Sequence, residues 1–131
     1  KEVVDRMVGE PDSAAYGRLS VMLQYRFEVA SLFDVPPSAF RPAPKVTSSI
    51  VWLKPRPASA LDATDEAVLS RVVSAAFGQR RKTLRNCLAC LVPDGGFVET
   101  GIDPGARGEK LAVADYVRLA NWCAAQGAPR A

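Results

Sequence analysis

Val46-Thr47-Ser48-Ser49-Ile50-Val51-Trp52-Leu53-Lys54-Pro55, followed at once by Arg56-Pro57-Ala58-Ser59-Ala60, divides the chain into two kinds of secondary structure. The first ten residues are rich in β-branched side chains, which suit a pleated surface, and Pro55 closes the strand because it brings no N–H to a ladder. The next five read as a linker, and the pattern after them is helical throughout. Working upstream, Pro36 to Lys45 holds four of the ten prolines and reads as a stiff, extended loop. Before it, Arg26 to Val35 alternates enough to be a strand, with Phe27, Val29, Phe33 and Val35 on one face. Two strands joined by a rigid loop without a crossover helix predict an antiparallel pair at a sheet edge.

Two helical pieces precede the strands. Val3, Val4, Met7 and Val8 repeat at helical spacing until Gly9-Glu10-Pro11, and Leu19 to Tyr25 predicts a short helix with Leu19, Val21, Met22 and Tyr25 mostly buried. Downstream, Thr64 is the expected cap of a helix carrying the apolar stripe Val68, Leu69, Val72, Val73, Ala76 and Phe77, which Gly78 stops. Gln79-Arg80-Arg81-Lys82-Thr83 then opens a helix with Leu84, Cys87, Leu88 and Leu91 inward, closed by Pro93-Asp94-Gly95-Gly96. Phe97 to Thr100 predicts a single helical turn. A last helix runs from Val113 to Ala125 with Tyr116, Val117, Ala120 and Ala124 inward and Gly127 as its stop. The predicted class is α+β, with residues 1–57 a sheet-bearing remnant and residues 58–131 a small helical domain.

Composition narrows the chemistry. The chain has 131 residues, 48% of them hydrophobic, and it opens at Lys1 without an initiating Met, so it reads as a piece of something longer. No apolar run reaches the roughly 18 residues of a membrane span and no secretory leader is seen, so a cytoplasmic protein is expected. The sequence contains no His, which removes His-based triads, Cys–His pairs and His-ligated metals. Cys87-x-x-Cys90 resembles half a metal or redox site, but it falls in an apolar helical pattern without a second pair, so Cys87, Cys90 and Cys123 are read as structural and no metal is expected. Trp52 and Trp122 are assigned to packing, and Tyr16 to a buried phenol bonded to backbone.

Charge is distributed unevenly. The net charge is +3, yet Val35 to Leu61 carries only Arg41, Lys45, Lys54 and Arg56, and Ala67 to Pro93 only Arg71, Arg80, Arg81, Lys82 and Arg85. Neither stretch contains an acid, so the middle of the chain suits a polyanion, with nucleic acid the expected partner. Arg80, Arg81, Lys82 and Arg85 are candidate phosphate contacts, Arg81 and Arg85 being placed on one helix face near the free N–H groups of its first turn.

Four separated motifs, in order, give these readings a frame: Lys1-Glu2-Val3-Val4; Tyr16-Gly17-Arg18-Leu19-Ser20-Val21; Val35-Pro36-Pro37-Ser38-Ala39-Phe40-x-Pro42-x-Pro44-Lys45-Val46-x-Ser48; and Phe77-x-Gln79-Arg80-Arg81-Lys82-Thr83-x-Arg85-Asn86. With Gly101-Ile102-Asp103-Pro104, Ala114-x-Tyr116 and Ala120-Asn121, the chain resembles the carboxy-terminal part of the ribosomal RNA small-subunit adenine dimethyltransferases, the KsgA/RsmA family. The resemblance implies the last strands of a Rossmann-like methyltransferase sheet followed by a small all-helical domain. It implies an enzyme that uses S-adenosylmethionine to dimethylate N6 of two adjacent adenines in a hairpin near the 3′ end of 16S rRNA during ribosome assembly. The immature 30S particle is the implied partner. The family's glycine-rich cofactor loop and Asn-Leu-Pro-Tyr motif are absent from these 131 residues, so the cofactor is expected to be held by a missing amino-terminal part and the chain alone to be inactive.

An aromatic ring on a proline-stiffened loop can stack on an extruded base, and Phe40 is the residue expected to clamp the target adenine. Lys45 and Arg41 on the same loop join Arg80, Arg81, Lys82 and Arg85 as expected RNA contacts. Self-association through an exposed sheet edge is also expected. The competing readings are a non-enzymatic RNA-binding assembly module and, more weakly, a helix-turn-helix DNA binder.

Overall fold

A computed structural model describes residues 2–39, 42 and 48–126. The elements run α1 (Glu2–Met7), α2 (Arg18–Arg26), β1 (Phe27–Val35), β2 (Ser48–Pro55), α3 (Glu66–Gly78), α4 (Leu84–Cys87), α5 (Asp94–Thr100) and α6 (Val113–Ala125). Short 3₁₀ turns lie at Pro37–Ala39, Ala58–Ala60 and Gly108–Lys110. No helix among the described residues is long and apolar enough to cross a membrane.

The predicted strand pair is present and antiparallel, from Phe27 opposite Pro55 to Val35 opposite Ser48. Between Ser31 and Phe33 the register slips by one residue, leaving Leu32 without a partner. A one-residue bulge moves everything beyond it to the other face. Phe33 and Val35 therefore share the face of Ala30 and Trp52, not that of Phe27 and Val29 as the alternation predicted. Trp52 is 43% exposed and Phe33 59%, beside Ile50 at 42%. The expectation that Trp52 packs inside therefore fails, and Leu53 on the other face is also 41% exposed.

The core lies among the helices. Val68, Leu69, Val72, Val73 and Ala76 of α3 face Tyr116, Val117, Leu119, Ala120 and Cys123 of α6. Leu84, Leu88, Val92 and Phe97 close one end. Burying each large aliphatic side chain stabilises the fold by roughly 1.5–3 kcal/mol. Tyr16, Val21 and Tyr25 belong to the same cluster, so the core continues across residue 57. The Tyr16 hydroxyl donates to the Leu111 carbonyl at 2.6 Å, as expected of a buried phenol, and the Tyr116 hydroxyl donates to the Gly108 carbonyl at 2.6 Å. Phe77 sits between the two rings, 5.9 Å from Tyr16 and 5.8 Å from Tyr116.

Local departures from expectation have local causes. Asp65, not Thr64, caps α3, accepting from the Ala67 and Val68 N–H groups at 3.0 and 3.4 Å. Thr64 instead uses its N–H to reach Asn121 Oδ1 at 2.8 Å, tying the linker to α6. In α2 the buried small residue is Ser20, held by Arg6 and Gly17, whereas Leu19 is 42% exposed. Gly95 and Gly96 do not end a helix; they lie in the first turn of α5, because Trp122 needs the space at Gly96. A Cβ built there would lie 2.8 Å from the indole, which is packed as predicted. Gly101, at φ 71°, turns the chain out of α5 in the left-handed conformation that glycine adopts without strain. Gly127 lies outside the described residues.

Candidate nucleic-acid interface

The basic segment does not open a helix. α3 ends at Gly78, and residues 79–82 form a turn in which the Lys82 N–H donates to the Gln79 carbonyl at 3.0 Å. α4 begins only at Leu84 and lasts four residues. Arg81 and Arg85 therefore do not share a helix face. The N–H groups expected to be free for an anion are also spoken for. Leu84 N–H donates to the Ala106 carbonyl at 2.8 Å and Arg85 N–H to the Pro104 carbonyl at 3.0 Å. The 104–106 segment satisfies the start of α4 because buried backbone donors must find partners.

The four cations occupy different situations. Arg80 donates through Nη2 to the Tyr16 carbonyl at 2.6 Å and to the Ala14 carbonyl at 3.3 Å, and lies 3.7 Å from Glu109. Its guanidinium also sits 5.7 Å from the Phe77 ring centroid, within cation–π range. Arg80 thus joins the turn to the segment preceding α2. Arg81 and Lys82 are exposed and form no ion pair with a described residue. Arg85 lies 3.3 Å from Asp94, with side chains 62% and 77% exposed, a surface pair worth about 0–1 kcal/mol that a phosphate can displace. Phe40, Arg41 and Lys45 lie outside the described residues.

Burial raises both Tyr16 and Tyr116 well above the ordinary phenol value of 10.0, with the Asp115 carboxylate a smaller contributor at each. These phenols remain neutral donors to the Leu111 and Gly108 carbonyls. Burial likewise raises the Cys123 thiol. Cys87 is half-buried, its Sγ 3.4 Å from the Gln79 carbonyl, while Cys90 is exposed. Arg71 is one of the cations of the acid-free stretch from Ala67 to Pro93. It lines a cavity with Arg18, and its Nε is buried without an acceptor among the described residues. The available signal was its place beside Ser70 on α3 in an acid-free stretch, but only the packing of α2 on α3 brings Arg18 to it.

The family profile described as Ribosomal RNA adenine dimethylase matches residues 1–125. The chain belongs to the ribosomal RNA adenine dimethylase family. Among curated relatives, the ribosomal RNA small subunit methyltransferase A of Aromatoleum aromaticum is 65% identical over 131 residues, covering 100% of this chain and 49% of the relative. The protein of the same description from Dechloromonas aromatica is 55% identical over 122 residues, or 93% of this chain and 48% of the relative. The chain thus spans about half the length of the curated relatives it matches.

Solved structures agree in fold. A dimethyladenosine transferase from Plasmodium falciparum superposes with a TM-score of 0.78 at 23% identity, covering 91% of this chain and 52% of that one. The 23S rRNA methyltransferase ErmE gives 0.64 at 24% identity, covering 94% and 51%. The chain is α+β, a two-stranded sheet with helices.

The family implies S-adenosylmethionine, and the described residues do not fit it. A cofactor cradle needs glycines that let backbone approach the ligand after a parallel strand. Here the two strands are antiparallel, Gly96 is filled by the Trp122 ring, and Gly101 is a helix stop. Two cavities are lined by arginines instead, one by Arg6, Arg18 and Arg80 and the other by Arg18 and Arg71.

Proposed function

We propose that this chain works, within a longer enzyme, as the carboxy-terminal, RNA-gripping part of an S-adenosylmethionine-dependent 16S rRNA adenine N6,N6-dimethyltransferase. Its substrate is the pair of adjacent adenines in the 3′-terminal hairpin of the immature 30S particle, and its place of work is the cytoplasm. Residues 1–57 are the remnant of the catalytic domain, with β1 and β2 the last strands of a Rossmann-like sheet, and residues 58–131 the ribosome-binding domain. The observation that carries the proposal is the 65% identity to a small-subunit methyltransferase over all 131 residues.

The chemistry defines what such a part must do. The N6 lone pair of adenine is delocalised into the ring, so the amino group reacts only when held in line with a methyl donor and the base is prevented from turning. The donor and the groups that hold N6 belong to the half of the enzyme not spanned here. This chain contributes grip: Phe40 stacks on the extruded base, worth roughly 1–3 kcal/mol, and Arg41 and Lys45 fix the strand beside it. Arg81, Lys82 and Arg85, with Arg80 anchoring their turn, neutralise rRNA phosphates and recognise the particle by shape.

The test is transfer of labelled methyl groups from S-adenosylmethionine to immature small subunits. The longer enzyme containing this chain is expected to label two adjacent adenines, and the chain alone none. Particle binding by the longer enzyme without any labelling would overturn the catalytic reading in favour of a non-enzymatic assembly module.

A further inference from the structure

We propose that the concave surface between α2 and α3 is a second phosphate subsite, in which Arg18 and Arg71 hold a backbone phosphodiester of RNA beside the hydroxyls of Ser70 and Ser74. The proposal rests on the RNA-binding reading above and adds a contact outside the basic turn. The surface is a cavity of about 470 Å³ lined by Arg18, Ser70, Arg71, Ser74, Ala75 and Leu91. Two guanidiniums, two hydroxyls and no carboxylate make a lining that suits an anion. Glu66, the one carboxylate of α3, is already engaged by Arg26, and α2 has none.

Two further observations point to a ligand. Arg71 is half-buried, and its Nε is buried without an acceptor among the described residues. A phosphate offers the paired oxygens that an arginine fork binds through two N–H groups at once. Arg18, exposed and without an ion-pair partner among the described residues, also lines a neighbouring cavity of about 370 Å³ that contains Arg6 and Arg80. Arg18, lining both cavities, therefore links Arg6 and Arg71 in a track of cations, beside which Arg80 is held by its carbonyl partners. A polyphosphate backbone fits such a track along its length, whereas a single inorganic phosphate uses one station of it.

The experiment measures binding of the longer enzyme to immature small subunits across a salt series, comparing wild type with Arg18→Gln, Arg71→Gln, the double variant and Arg81→Ala/Lys82→Ala. Each arginine replaced is expected to weaken binding about tenfold at low salt. Each should also reduce the slope of log affinity against log salt by about 0.7–0.9. The losses should add to those of Arg81→Ala/Lys82→Ala, because separate phosphates are contacted. Arg71→Lys should recover only part of the affinity, since it restores charge but not the fork. An unchanged slope in the double variant overturns the subsite, as does a fall in melting temperature with the slope intact. Loss of inorganic phosphate binding with particle binding unaltered also overturns it, in favour of a small-anion site. Methyl transfer by the wild-type enzyme is read separately. Altered slopes in an enzyme that transfers no methyl would remove the catalytic reading and leave the subsite standing; methylation with unchanged slopes would remove the subsite alone.

Discussion

The guanidinium of Arg80 donates to the main-chain carbonyl of Tyr16 at 2.6 Å, across 64 residues of sequence. The first member of the basic run is thereby a fastener, holding the turn that carries Arg81 and Lys82 against the segment entering α2. Replacing Arg80 alone by Ala is expected to lower stability by about 1–3 kcal/mol, because a charged hydrogen bond to a carbonyl is lost. Arg81→Ala/Lys82→Ala should leave the melting temperature unchanged while weakening particle binding and flattening its salt dependence. Thermal melts beside salt-dependent binding check both, and equal melting losses in the two variants would contradict the division of labour.

The two buried phenols predict an alkaline limit to stability. Both are raised above the ordinary value of 10.0. Above that value the unfolded chain loses two protons that the native chain keeps, so the native state binds more protons and stability falls as pH rises. The contribution is fully present below about pH 9 and declines from about pH 10 upward, with a limiting slope near 2.7 kcal/mol per pH unit for two groups. Denaturant titrations of wild type and Tyr16→Phe/Tyr116→Phe between pH 7 and 11 would show it. The double variant should be less stable at pH 7 but decline less steeply above pH 10.

Gly96 tests the seat of Trp122. With a Cβ placed 2.8 Å from both the indole and Val92, Gly96→Ala is expected to destabilise by about 1–3 kcal/mol despite the better helix propensity of alanine. Gly95→Ala, where nothing lies within 4 Å, should be neutral or slightly stabilising. Chemical denaturation of the pair would expose a wrong assignment if the two changes proved alike.

Phe40→Ala in the longer enzyme is expected to lower methyl transfer more than particle binding, by a factor corresponding to roughly 1–3 kcal/mol of stacking. Separate measurement of turnover and affinity decides it; a loss confined to binding would mean that Phe40 is not the clamp.

Much of this protein was readable from residue order. The period of Val68 to Phe77 defined α3, Val113 to Ala125 defined α6, and Pro55-Arg56-Pro57 marked where strands give way to helices, because side-chain spacing and the missing proline N–H act locally. The four spaced motifs were enough to indicate the family. Other features needed the folded chain. The bulge at Leu32, which turned Phe33 and Val35 onto the face of Trp52, depends on the partner strand. The basic run became a turn because the 104–106 segment and the Tyr16 carbonyl, distant in sequence, supplied its hydrogen-bond partners. Arg18 and Arg71, 53 positions apart, share a cavity because α2 lies on α3. Local periodicity determined which elements form; long-range hydrogen bonds and packing decided which charges are fixed within the fold and which remain available to a ligand.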